Sequence, residues 1–175
     1  LMVDIEHLQF GLETFGDIVA NEDGSLQTAA ASIRQIVREG QLADELGIQV
    51  FGVGEHHRPD YSVSSPETVL AAISTVTKQI KLATAVTVLS SDDPVRVYER
   101  FATLDALSDG RAQVMLGRGS FTESFPLFGY DLTDYDDLFN EKLGLYDALR
   151  NEKAVTWSGK FRAALKNQEV YPKTE

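Results

Sequence analysis

Two of the chain's three histidines, His56 and His57, are adjacent and follow Glu55. Imidazole changes charge near neutral pH, so a histidine at a pocket mouth suits proton transfer or hydrogen bonding to a reacting group. Neighbours on an extended segment point to opposite sides, so one of the pair is expected to face a pocket. A metal centre needs three or more converging ligands. Glu55 and one histidine supply two, and the third histidine, His7, precedes them on an earlier strand. No metal site is therefore expected, and metal-assisted hydrolysis through Glu55 and His56 is the weakest reading. A second segment, Gly117-Arg118-Gly119-Ser120, has glycines that let backbone approach a ligand and an arginine able to pair with a phosphate. It lacks the P-loop pattern, and a turn carrying a solvated arginine explains it equally well. Ala85-Val86-Thr87-Val88 is small and β-branched, which suits buried core or a flat surface against an aromatic ring. With no cysteine in the chain, thiolate nucleophiles and disulfides are excluded. No Ser–His–Asp order or paired-carboxylate spacing stands out.

The elements that must position these residues alternate. An apolar/polar run over 6–12, with Leu8, Phe10 and Leu12 in alternation, predicts a strand. Ile33, Ile36, Val37, Ala43 and Leu46 recur at helical spacing, and Gly47 stands where a C-terminal cap belongs. Val50–Gly54 predicts a second strand. Ser65-Pro66 and Asp93-Pro94 are cap-plus-first-turn signals for helices with inward stripes at Val69, Ile73 and Val76, and at Val97, Phe101, Leu104 and Leu107. Between them, the run Ile80–Leu89 suits a strand buried on both faces. Val114–Leu116 is a fourth strand, and a fourth helix runs from Asp134 to about Leu149. Val155–Phe161 predicts a small hairpin around Ser158-Gly159. The acidic stretch Asp131–Glu141 reads as a solvated helix start, favoured by the macrodipole.

Composition narrows the class. The chain has 175 residues, 43% apolar and 25% charged, an ordinary globular mixture. Its net charge of −11 is a poor match for nucleic acid or anionic membrane. No run of about 18 apolar residues exists, and residues 1–10 do not have the layout of a signal peptide. A cytoplasmic protein is the expectation.

Four βα units with no linker argue for a parallel sheet with right-handed crossovers. A dinucleotide-type open sheet would carry G-x-G-x-x-G after its first strand, and here Glu13-Thr14-Phe15-Gly16-Asp17 follows instead. The distinctive polar residues sit after several strands, always at the C-terminal end, which is the pattern of a (β/α)8 barrel. Such a barrel typically needs about 250 residues, so residues 1–175 are expected to form the N-terminal half of one barrel domain, its first four βα units. Tyr171–Glu175 is expected to lead toward a fifth strand.

These segments together resemble the bacterial luciferase-like monooxygenases, flavin-dependent (β/α)8 TIM-barrel enzymes. The resemblance rests on Gln41–Gly47, Phe51–His57, Thr84–Leu89 with Asp93–Arg96, Leu104–Arg111, Gly117–Ser120 and Trp157-Ser158-Gly159-Lys160, and covers about residues 8–172. It implies that His56 is the histidine near the flavin, and that Ala85 and Val86 are joined by a cis peptide and pack against the isoalloxazine. It further implies that Arg118, with Gly119 and Ser120, reaches the flavin phosphate. The implied activity is a monooxygenase in which reduced FMN, delivered by a separate flavin reductase, reacts with dioxygen to a flavin C4a-peroxide that oxygenates a small organic substrate. The same scaffold in relatives uses deazaflavin F420 for hydride transfer, the alternative here. A shortened, non-catalytic flavin-binding protein is the rival from another class. The resemblance implies further phosphate ligands after later strands, so residues 1–175 alone are expected to bind flavin weakly and to be inactive. It also implies a homodimer through the second and third helices.

Overall fold

The computed structural model describes residues 8–174. Residues 6 and 7, the first part of the predicted first strand, and the N-terminal stretch read against a signal peptide up to His7 lie outside the described residues. Four strands, β1 (Gly11–Thr14), β2 (Val50–Val53), β3 (Lys81–Thr84) and β5 (Ala112–Gln113), form one parallel sheet in sequential order. The register is continuous, with Gly11 opposite Val50, Val50 opposite Lys81 and Leu82 opposite Ala112. Helices α1 (Ala29–Glu45), α2 (Pro66–Ser74) and α3 (Pro94–Ser108) make the crossovers, and α5 (Tyr135–Asn151) is the long helix of the fourth unit. This is an α/β arrangement of four βα units, a half-barrel wall. Phe51, Leu70, Ile73, Leu82, Leu104 and Leu149 are all at most 2% exposed, so the sheet and helices share one core.

The predicted third strand is split, and the predicted fourth, 114–116, falls mostly in the gap after β5, with only Leu116 in a strand. The third continues as β4 (Thr87–Val88), which leaves the main sheet and pairs with β6 (Leu116–Gly117). The Ala85–Val86 peptide between the two pieces is cis. The ladder changes partner there. Ala85 N–H donates to the Val53 carbonyl at 2.9 Å, whereas Thr87 N–H donates to Met115 at 2.8 Å. In the gap the Thr84 hydroxyl takes the ladder's place, accepting from Met115 N–H and donating to the Met115 carbonyl, both at 3.3 Å. The Thr84 side chain thereby gives the Met115 N–H a partner in place of backbone.

Two capping signals differ in outcome. Asp93 accepts from Val95 and Arg96 N–H and caps α3, whereas Ser65 makes no side-chain cap bond and Pro66 alone marks the start of α2. Thr28, which sequence reading passed over, caps α1 through Ala31 N–H. Leu46, Val76 and Leu107, placed on inward stripes, are 72, 44 and 58% exposed, because each lies at or beyond its helix's last turn. Asp44 accepts from Lys78, Gln79 and Ile80 N–H at 2.7–2.9 Å, pinning the entry to β3. Arg111 donates to Ser108, Thr77, Ile80 and Ser74, stapling the end of α2 to the base of the sheet.

The last motif is a larger hairpin than expected. β7 (Val155–Trp157) pairs antiparallel with β8 (Leu165–Gln168), Trp157 opposite Leu165, so the loop runs over 158–164 and is not a tight turn at Ser158-Gly159. Part of the acidic stretch is engaged, not merely solvated. Glu141 accepts from Lys160 and Phe161 N–H in that loop, and Asp134 pairs with Lys160. Among the described residues no helix is long and apolar enough to cross a membrane.

Candidate active site

The C-terminal ends of β2, β3, β4 and β6 enclose a cavity of about 300 Å³, at the low end of the range for small-molecule sites. Its wall includes His56, Ala85, Val86, Gly119 and Ser120, five residues drawn from three separated motifs. Two larger grooves, of about 520 and 460 Å³, lie between α3 and α5 and between α2 and α3. Neither holds a histidine or a strand-end glycine, so the smaller cavity is where the chemistry concentrates.

His56 follows β2 and is caged by aromatic rings. Tyr61 stacks on it at 4.2 Å between centroids, and Phe15 and Phe121 meet it edge-on at 5.5 and 4.8 Å. Its backbone N–H donates to the Val63 carbonyl, and its Nδ1 lies 3.4 Å from Glu123 Oε1. The prediction that one histidine of the pair faces the pocket differs from what is seen, since both line the cavity. The chain is no longer in a strand after Val53, so strict alternation does not apply.

His57 belongs to a second pair. Its Nε2 lies 2.9 Å from Glu55 Oε1, and Glu55 Oε2 accepts from Val88 N–H at 2.9 Å. The Glu55 carboxylate therefore ties the exit of β2 to β4. The hydrogen bond that His57 donates to Glu55 raises the His57 pKa above its ordinary 6.5; burial opposes this, and the charges of Glu55, Glu123 and Asp92 add to it. Both side chains are close to 10% exposed, so solvent screens the pair little.

The third motif follows β6. Gly119 has a φ of +79°, and a Cβ there would come 2.9 Å from Val88 Cγ1, so the left-handed turn and the close approach both call for glycine. After Ser120, the short helix α4 (Ser124–Phe128) and its entry bring Phe121, Glu123 and Ser124 into the wall. The Ser124 hydroxyl is buried and, among the described residues, has no hydrogen-bond partner. Arg118 does not line the cavity. Its side chain is 53% exposed, pairs with Asp136 at 2.6 Å and lies over Tyr135 and Phe139. Sequence reading missed Phe15, Tyr61, Phe121 and Glu123. Their only signal is adjacency to the strand-end motifs, because a five-residue helix leaves no periodicity to detect. Among the described residues no three His, Asp or Glu side chains converge as a metal site would require.

A half-barrel whose strand-end motifs meet in one cavity defines an enzyme-like α/β scaffold. Residues 14–175 match the model of the luciferase-like monooxygenases, and the chain belongs to that family. Limonene 1,2-monooxygenase of Rhodococcus erythropolis is 31% identical over 84% of this chain and 38% of its own length. N-acetyl-S-alkylcysteine monooxygenase of Bacillus subtilis is 32% identical over 69% of this chain and 37% of its own. Among solved structures, monooxygenase RslO1 from Streptomyces bottropensis superposes with a TM-score of 0.84 at 25% identity, over 95% of this chain and 50% of that one. The oxygenating constituent of 3,6-diketocamphane monooxygenase from Pseudomonas putida, in complex with FMN, gives 0.79 at 20% identity over 90% and 43%. An F420-dependent secondary alcohol dehydrogenase gives 0.73 at 22% over 95% and 49%; these last two share the fold. The chain thus spans about two fifths of its curated relatives and half or less of these structures.

Proposed function

We propose that this chain is the N-terminal half of an FMN-dependent monooxygenase barrel that oxygenates a small organic substrate with dioxygen. The observation that carries this is the cavity where His56, Ala85, Val86, Gly119 and Ser120 meet. Its features suit a flavin ring. Ala85, Val86 and Val88 offer an apolar wall for the ring face, glycine at 119 permits close backbone approach, and the buried Ser124 hydroxyl lacks a partner among the described residues. The Glu55 and Glu123 carboxylates are occupied by the two histidines and so are shielded from an electron-rich ring edge. Arg118 is the residue to hold the phosphate. Its present partner Asp136 is exposed, and exposed pairs contribute only about 0–1 kcal/mol, so a phosphate dianion can compete for the guanidinium.

When bound, a reduced flavin supplies the electrons that activate dioxygen. The chain's own part is to orient the ring on Ala85 and Val86, to exclude water with Phe15, Tyr61 and Phe121, and to hold a proton-transfer group, His56, at the reacting side. The reductase that supplies reduced flavin, and a homodimer through α2 and α3, belong to the same proposal. The test is a titration of the complete barrel with FMN and, separately, with F420, followed by fluorescence quenching, then oxygenation of a panel of small organic compounds with chemically reduced FMN; residues 1–175 alone are expected to bind flavin weakly and not to turn over. Quenching by FMN with His56-dependent oxygenation is the expected result. Binding of F420 in preference to FMN would favour hydride transfer, and binding of neither would overturn the flavin reading.

A further inference from the structure

His56 is held on three sides by rings, and the aromatic cage leaves its orientation little freedom. In that orientation Nδ1 faces Glu123 Oε1 at 3.4 Å, and Nε2 makes no hydrogen bond to a described residue. The same carboxylate oxygen takes the His57 backbone N–H at 3.4 Å, which fixes Glu123 against the segment bearing both histidines. Glu123 is 20% exposed at its side chain, and His56 10%. The charged and titratable groups around His56 are Glu123 on the α4 side, Tyr61 and Asp60 on the loop after β2, Arg58 over Phe121, and the Glu55–His57 pair behind it. Glu55 is already committed to His57 and Val88, so Glu123 is the carboxylate within reach of the His56 ring.

A carboxylate accepts and does not donate, so the nitrogen facing it must carry the proton. The ring nitrogen left over is then a lone pair. We propose that Glu123 is a positioning residue that holds His56 as the Nδ1–H tautomer, leaving Nε2 as the hydrogen-bond and proton acceptor of the cavity. The same logic orients the base in catalytic triads. The consequence for chemistry is direct. A neutral His56 accepts a proton at Nε2 from a substrate or intermediate, and the Glu123 carboxylate offsets the charge of the imidazolium so formed. This catalytic consequence rests on the proposed function; the tautomer does not.

The tautomer is read by long-range ¹H–¹⁵N correlation spectra of the protein at about pH 8.5, above the usual imidazole range, with His56 assigned by loss of its signals in His56→Asn. Wild type is expected to show a pyrrole-type Nδ1 and a pyridine-type Nε2. Glu123→Gln, whose amide oxygen still accepts, should keep that pattern, whereas Glu123→Ala should move His56 toward the Nε2–H form. A wild-type spectrum with Nε2 protonated, or an unchanged pattern in Glu123→Ala, would overturn the proposal. Flavin titration of the same proteins reports separately on the cofactor reading, so the two fail independently.

Discussion

Replacing Glu55 with glutamine tests the pair that joins β2 to β4. The amide oxygen can still accept from Val88 N–H, which Glu55 holds at 2.9 Å, but the amide nitrogen then faces His57 Nε2, now 2.9 Å from a carboxylate. A hydrogen bond to a charged partner contributes about 1.5–3 kcal/mol and a neutral one about 0.5–1.5 kcal/mol. The sign with pH follows from the direction of the shift. The His57 pKa is raised in the folded protein above 6.5, chiefly by the Glu55 hydrogen bond. The pair's stabilisation is therefore fully present below 6.5 and is lost as pH rises through the folded value. Glu55→Gln should cost about 2 kcal/mol at pH near 6 and roughly 1 kcal/mol or less near 9. Urea unfolding of both proteins at the two pH values measures this, and taking the difference cancels every other titrating group. NMR titration of the His57 Cε1–H should show a lower midpoint in the variant. A cost that does not change between the two pH values, or a midpoint unmoved by the substitution, would refute the charged pair.

Three further outcomes are expected. Asp44→Ala leaves the exposed N–H groups of Lys78 and Gln79 to water and the part-buried N–H of Ile80 without its partner, and should lower unfolding free energy by about 1–3 kcal/mol; a urea midpoint within error of wild type would contradict the clamp. Lys142 is 2% exposed, its ammonium donates to the Ser90 carbonyl and lies over Tyr130, and burial lowers its pKa from 10.5 to about 8 despite Asp92, Asp93 and Glu141. Between those values the unfolded chain binds a proton that the folded one does not, so this residue makes stability rise with pH. Relative to Lys142→Met, wild type should gain about 2 kcal/mol from pH near 7.5 to near 9.5 by linkage, and parallel pH profiles would show the ammonium to be unperturbed. Arg118→Ala should change stability by less than about 1 kcal/mol yet weaken FMN binding roughly tenfold or more. Riboflavin, which lacks the phosphate, should bind both proteins equally, and an equal loss for riboflavin would remove the phosphate assignment.

Much of the frame was legible in the residues. The Asp93-Pro94 cap, the stripe through Val97, Phe101 and Leu104, and the placement of polar motifs after successive strands all depend on local period and local cap chemistry, which act over a few residues. The family-bearing segments had a structural meaning that spacing did not reveal. Asp44 and Arg111 hold backbone groups more than 30 residues away in sequence. The split of the third strand was illegible because a buried apolar run reads the same whether its ladder is continuous or changes partner.

The site divides along the same line. Residue types alone singled out His56, His57 and the Gly119 turn, since imidazole and glycine carry their chemistry and conformational freedom with them. Only the tertiary structure decided their partners. Glu55 went to His57 and Val88, Glu123 to His56, and Arg118 to Asp136 outside the cavity. Those choices depend on which strand ends lie side by side and how the chain leaves them. Both are set by the packing of the whole sheet against its helices, and a linear spacing does not record that packing.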